Sequence, residues 1–530
     1  MTKIGEGTST GRTGSPPARR GASRKPASSA EIGEGTSTGR TGSPPARRGA
    51  SRKPASSALV LVIILGSQLM LILDSTVVIT ALPQVHFALG FSAANLSWVQ
   101  NAYTLAFGGL LLLGARAGDI FGRRRVFMFG IALFTVASLF GGLAQSASWL
   151  LVARALQGGA AAMAAPSTLA LLSARFTGGH ERTRAVALFS AVSGAGGSVG
   201  LVVGGMLTTW ASWRWALLIN VPIGVIVLAL SPRALPETPR RPGRFDLQGA
   251  LTSTLGMGAL VYGIVRAGTA GWGDGATIAW LVVGVVLLSA FVLVELRAEQ
   301  PITPLRLFAS RERTGAYISR ALVFGGLFSM FFFIIQFLQQ VYGYSALRAG
   351  LAFLPQTILT FAMVRSVPKL APKFGMQRLL IAGLVIALAG TAWMSRISQG
   401  TPYFPQVAIP LLLLGIGIGL CGTPLTSMGI ARVAPEDAGA ASGLVTAAQQ
   451  VGGSLCLGVL VTVFSAASTS AARHLPAAAT AQLGAKVELA HGTSAALTGS
   501  AVLLALAIVV VTVVIRRTPA PTRPDATTPR

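Results

Sequence analysis

The chain has 530 residues, of which 52% are hydrophobic and only 11% charged, with a mean hydropathy of +0.65. A soluble globular protein carries about 25% charged residues, so the composition excludes an ordinary soluble fold and points to an all-α integral membrane protein. The net charge of +27 does not indicate nucleic acid, because 11 of the 43 Lys+Arg lie in the first 58 residues and most others in short segments between apolar runs. No stretch interleaves basic and aromatic residues as a single-strand binder would.

Residues 4–30 recur unchanged at 32–58, a tandem repeat with a 28-residue period, rich in Gly, Ser, Pro and Arg. It has no apolar face to bury, so residues 1–58 are expected to form a disordered basic tail, suited to a surface of anionic lipid. No cleavable signal peptide is expected, since the run beginning at Leu59 is too long and too far along the chain.

Fourteen apolar segments follow, near 59–83, 96–115, 126–145, 149–173, 185–210, 213–231, 248–266, 276–296, 315–341, 349–367, 378–396, 404–428, 438–466 and 496–515. Each is long enough to cross a hydrocarbon layer of about 30 Å as a helix. With the amino terminus inside, the inner loops carry 19 Lys+Arg and the outer loops and flanks six. Basic residues favour the cytoplasmic side, so both termini are expected in the cytoplasm, including the tail at 516–530.

The first segment contains Asp74, with fifteen uncharged residues before it and eleven after. Removal from water disfavours a carboxylate's charged form, which suits an acid that loads and releases a proton. The alternative is a strut fixed by an Arg or a helix N-terminus. Ionisable groups within a membrane are functional by default, which favours the proton. After the second segment come Asp119, Gly122, Arg123, Arg124 and Arg125. That cluster suits either a latch between moving parts or a simple orientation signal. Arg154, early in the fourth segment, must face the bundle interior or reach back to the surface, and Gln157 shares its face.

Gly196, Gly200 and Gly204 recur at helical spacing with Gly205 beside them, a pattern that lets helices approach closely. Trp213, Arg214 and Trp215 read as an interfacial anchor and Asn220 as a cap. Gln336, Gln339, Gln340, Gln449 and Gln450 either line a cavity or bridge helices. Segment ten has no Asp or Glu. Cys421 and Cys456 fall in apolar runs and read as packing residues. Neither a metal nor any other cofactor is expected. The four His are scattered, which disfavours a membrane enzyme, and GxxxxGK[ST] is missing, so an ion gradient must supply power. RAGDIFGRRRVF at 116–127 and KLAPKFGMQRLL at 369–380 share Phe-Gly-x-x-Arg in corresponding positions. This indicates duplicated bundles around a central site, at 59–231 and 315–515, with 232–314 as a linker holding two inserted spans.

These motifs carry a resemblance. GARAGDIFGRRRVF resembles the cytoplasmic loop motif of the major facilitator superfamily, and RALQGGAAA its fourth-span motif. GGSVGLVVGG is similar to its antiporter glycine motif. LDSTVVITALP, WRWALLINVPIG and PEDAGAASGLVTAAQQVGGSLCLGV resemble hallmarks of the fourteen-span drug:proton antiporters. Ile79 and Leu201 stand where that family usually has Asn and Pro. The resemblance implies a major facilitator fold with 14 transmembrane helices, two six-helix bundles plus two, and a monomer. It implies export of a small amphipathic drug or antibiotic in exchange for protons, with Arg154 lining the cavity and influencing protonation of Asp74. It also implies a gating role for residues 119–125 and a seal by the glycine face. Gln157, Gln336, Gln449 and Gln450 are the candidate cavity residues. The missing acid in segment ten points to monovalent, neutral or anionic compounds. A proton-linked exporter of a metabolite such as a siderophore, sugar or peptide product is the alternative.

Overall fold

The computed structural model describes residues 57–515, apart from 93, 177–178, 238–239, 241–245, 300, 435–436 and 475–479. The repeated amino-terminal segment and the carboxyl-terminal tail thus lie outside the described residues. Among the described residues there is no strand. A bilayer offers the backbone no hydrogen-bond partners, so spanning segments satisfy their amides within helices.

Seven helices build the first half: α1 (Ser57–Leu89), α2 (Trp98–Phe121), α3 (Arg123–Gly142), α4 (Ala147–Arg175), α5 (Gly179–Trp210), α6 (Trp215–Leu218) and α7 (Asn220–Ala234). Two more, α8 (Leu247–Ala270) and α9 (Gly275–Arg297), form a hairpin. The second half comprises α10 (Arg311–Gln336), α11 (Ala346–Leu351), α12 (Leu354–Phe374), α13 (Met376–Met394), α14 (Ala408–Gly429), α15 (Ala438–Arg473) and α16 (Ala481–Val513). Side-chain caps fix several starts: Ser146, Asp246, Asp274, Ser310, Ser345 and Thr480 each accept from a backbone N–H three residues on.

Thirteen stretches, four of them joining adjacent helical segments, are long and apolar enough to span a membrane among the described residues. The fourteenth expected span is α5, an unbroken helix of 32 residues in which the stretch Val199–Trp210 is apolar. Span six is divided into α6 and α7, and the first helix runs through Pro83 to Leu89 instead of stopping there.

The halves repeat one pattern of neighbours. In the first, α2 and α3 lie against α4, α1 against α5, and α3 against α7; in the second, α12 and α13 lie against α14, α10 against α15, and α13 against α16. The shared Phe-Gly motif has the same structural task in each. Gly122 (φ +100°) and Gly375 (φ +81°) each close one helix and open the next. That backbone conformation favours glycine.

Two seams join the halves. At the first, a Cβ on Gly205 would lie 2.7 Å from Leu347 Cα, and Thr209 Oγ1 accepts from the Leu347 amide at 3.1 Å. At the second, α2 meets α15, where Ser454 Oγ donates to Asn101 Oδ1 at 2.8 Å and lies 3.0 Å from Thr104 Oγ1. The hairpin rests on this second seam. Thr462 Oγ1 of α15 donates to the Ile264 carbonyl of α8 at 2.7 Å, while Gly109 of α2 makes room for Thr254. Helix α9 turns Val282, Val283, Val285 and Val286 outward, an apolar surface suited to lipid tails.

Candidate functional site

The first half assembles a buried polar network around Asp74. Helix α1 carries this acid into contact with α4, where Arg154 and Gln157, three residues apart, occupy one face. Arg154 Nη1 donates to Asp74 Oδ2 at 2.6 Å, and Gln157 Nε2 donates to Asp74 Oδ1 at 2.9 Å. Asn220 Nδ2, at the first residue of α7, donates to the same Oδ1 at 2.9 Å. All four side chains are fully buried.

A second layer orients the first. Arg154 Nε donates to the Val99 carbonyl at 2.9 Å, and its Nη1 also reaches Gln157 Oε1 at 2.9 Å. Its Cζ stands 4.4 Å from the centre of the Tyr103 ring, a cation–π contact. Gln157 Nε2 further donates to Ser138 Oγ at 2.8 Å. Small residues make the approach possible: Gly158 of α4 lies against the Tyr103 carbonyl of α2, and a Cβ on Gly130 of α3 would meet the Ala164 amide of α4 at 2.9 Å.

Dehydration penalises both charges, and only close pairing offsets that penalty. The carboxylate accepts three hydrogen bonds, one each from Arg154, Gln157 and Asn220. Among the described residues, Arg154 Nη2 and Asn220 Oδ1 are buried without a hydrogen-bond partner. The network therefore holds a salt bridge closed to water in this conformation, with spare hydrogen-bonding capacity.

Asn220 is the member that sequence reasoning assigned elsewhere. Its side chain makes no cap; it turns into the bundle toward Asp74. The available signal was its position as the lone amide in the apolar run 215–230.

The expected gate is a distinct cluster. Asp119 Oδ1 accepts from Arg123 Nη2 at 2.8 Å across the Gly122 break. Glu237, following α7, accepts from the Arg124 amide at 3.2 Å and lies 3.6 and 3.7 Å from the Arg124 and Arg125 Nε atoms. Arg124 Nη1 also donates to the Leu235 carbonyl at 3.1 Å. The loop is thereby fastened to the end of its own half. A Cβ on Gly122 would stand 2.5 Å from Glu237 Oε1, so the glycine also makes room for the acid. Glu237 escaped the sequence reading because it lies more than a hundred residues from the arginines it holds.

The glycine motif packs chiefly on α1. A Cβ at Gly196 would meet Ile72 Cγ2 at 2.8 Å and at Gly204 Val77 Cα at 2.7 Å, while Gly200 faces Thr76. Gly205 turns instead to the other half. The candidate cavity glutamines are dispersed. Gln157 belongs to the Asp74 network, and Gln336 Nε2 donates to the Phe332 carbonyl of its own helix. Gln450 packs beside Gly108 in the α2–α15 seam, and Gln449 accepts from Arg320 at 2.8 Å. Gln339 bridges helices, donating to the Thr80 carbonyl at 2.9 Å. Cys421 and Cys456 are buried free thiols in helices. Among the described residues no group of His, Cys, Asp or Glu is placed to hold a metal ion.

Comparison with known proteins supplies the family. The sequence profile described as Major Facilitator Superfamily matches residues 64–456. The chain is 43% identical to the puromycin resistance protein pur8 of Streptomyces alboniger, over 77% of this chain and 82% of that one. It is 40% identical to the cephamycin export protein CmcT of Amycolatopsis lactamdurans, over 86% and 92% respectively. Its fold is similar to that of a bacterial homologue of the human lysosomal transporter Spinster in an inward-facing, unoccupied conformation. There the TM-score is 0.61 at 17% identity, covering 88% of this chain and 99% of that one. The chain belongs to the Major Facilitator Superfamily, as a multi-pass membrane transporter and not an enzyme.

Proposed function

We propose that the protein exports small amphipathic compounds, drugs or antibiotics among them, across the cytoplasmic membrane in exchange for protons. The observation that carries this reading is the wholly buried Asp74, held by Arg154, Gln157 and Asn220. Curated relatives named for puromycin resistance and cephamycin export support the substrate class.

The pair supplies a two-state element. With Asp74 ionised, the Arg154 charge is compensated and the bundle closes around both. A proton arriving at Asp74 neutralises the carboxylate and leaves a buried guanidinium without its counter-charge, which is strongly unfavourable. Relief comes by rearranging α1 against α4, opening the site toward water and returning the proton on the other side. Alternating exposure of a central site by two rocking bundles turns this exchange into transport. Both termini lie in the cytoplasm in this reading, the Asp119–Arg125 loop acts as the gate, and the working unit is a monomer in the lipid bilayer.

The test is efflux and proton counterflow in vesicles containing the full chain or its Asp74→Asn variant. Substrate-driven proton release should vanish in the variant while membrane insertion persists. Undiminished coupling would remove Asp74 from the mechanism.

A further inference from the structure

The second half carries, within its helix bundle, a cation that the mechanism above does not use. Arg320 lies nine residues into α10, about 14 Å along the helix axis. Its Nη1 donates to Thr426 Oγ1 of α14 at 2.9 Å and its Nη2 to Gln449 Oε1 of α15 at 2.8 Å. Both partners are neutral. Among the described residues no carboxylate stands within ion-pair distance of it, and its buried Nε has no hydrogen-bond partner.

The contrast with Arg154 is informative. Both are arginines inside the membrane-spanning bundle, but Arg154 is fully buried against Asp74, whereas Arg320 is part-buried and has no carboxylate beside it among the described residues. Two helices spend a hydroxyl and an amide on fixing a guanidinium that no acid neutralises. Such a group is expensive in this setting unless an anion completes it.

The surface beside it is aromatic. Arg320, Phe324 and Phe328 recur at a spacing of four and share one face of α10, all three partly exposed. Arg320 Cζ stands 4.9 Å from the Phe324 ring centre, and the Phe324 and Phe328 rings meet edge to face at 6.3 Å. Gly453 of α15 lies directly under the Phe328 ring, where a side chain would collide with it. A fixed positive group thus adjoins a strip of ring surface about one helical turn long.

We propose that Arg320 is the headgroup site for transported compounds bearing a carboxylate or similar anion, whose apolar body lies along Phe324 and Phe328. The proposal rests on the export reading for its physiological meaning, and it narrows the substrate class to amphipathic anions. Gln449 is a positioning residue that aims the guanidinium.

The experiment uses the full chain in lipid nanodiscs and a matched pair of probes, 2-naphthylacetate and 2-naphthylacetamide. The wild type should bind the acetate about tenfold more tightly or better, as expected for a hydrogen bond to a charged group. Arg320→Gln should bring the two affinities together while leaving the amide unchanged, and Arg365→Gln, at an exposed position on α12, should behave as wild type. A measurement without any variant is protection of Arg320 from phenylglyoxal, read by mass spectrometry: the acetate should protect and the amide should not. Equal affinities in the wild type, a preference that survives Arg320→Gln, or no protection would each overturn the proposal. Arg320-dependent binding without cellular export would keep this site and discard the efflux reading. Efflux of the acetate unaffected by Arg320→Gln would do the reverse.

Discussion

Arg154 and Asp74 meet at 2.6 Å between α4 and α1, with neither side chain exposed to solvent. Removing one member of such a pair leaves an uncompensated buried charge, at a cost of about 3–5 kcal/mol. Asp74→Asn and Arg154→Gln should therefore each lower the unfolding temperature in detergent markedly. The double variant should recover most of that loss, because two neutral groups can be accommodated together, yet it should remain inactive in efflux. A double variant as unstable as the sum of the singles would show that the pair is not coupled.

Asn220 offers a second handle on the same acid. Asn220→Ala removes one of three donors to Asp74 and should cost about 1–3 kcal/mol in stability. Efflux should fall while the protein still assembles, since Gln157 and Arg154 remain. Wild-type transport by Asn220→Ala would place Asn220 outside the mechanism, whatever its effect on unfolding.

The two inter-helix glycines should not tolerate substitution equally. Both sit at positive φ, where a side chain costs about 1–3 kcal/mol. Among the described residues nothing lies within 4 Å of a Cβ on Gly375, whereas one on Gly122 would also press on Glu237. Gly122→Ala should thus destabilise more than Gly375→Ala, and Glu237→Ala should shrink the difference. Thermal unfolding in detergent of the wild type, the three single variants and each glycine variant combined with Glu237→Ala decides this.

Arg306 and Asp437 form a two-pronged pair, Nε to Oδ2 and Nη2 to Oδ1, both at 2.7 Å. The hydrogen bonds from Arg306 hold the Asp437 carboxyl below the usual carboxylate range. A depressed folded-state pKa contributes stability above the unfolded value, and that contribution disappears as pH falls through the folded one. Asp437→Asn should leave a protein whose unfolding temperature is less sensitive to acidification below about pH 4. Identical acid profiles for the variant and wild type would exclude the pair as a source of that sensitivity.

The span pattern was legible in the sequence because long apolar runs can have only one fate in a bilayer. Asp74, Arg154 and Gln157 were legible as well: a charge in such a run is visible at once, and Gln157 follows by helical spacing. What the sequence did not disclose were partners distant in the chain. Asn220 and Glu237 meet their partners across more than a hundred residues, a distance over which periodicity carries no information. Gln336 illustrates another limit, since a side chain that bonds its own helix looks the same on paper as one lining a cavity. Arg320 is as visible in its apolar run as Arg154, but its setting is not, because its neutral partners Thr426 and Gln449 lie more than a hundred residues away.

The α8–α9 hairpin touches α2 with one side and α15 with another. A clasp fastened to two moving bodies survives only along the line where they scarcely slide past each other. For the rocking motion proposed above, that line is the α2–α15 side, and the wide excursion falls on the opposite flank, where α5 meets α11. The inserted pair then works as a hinge plate, and shortening or stiffening it should alter turnover speed more than ligand preference.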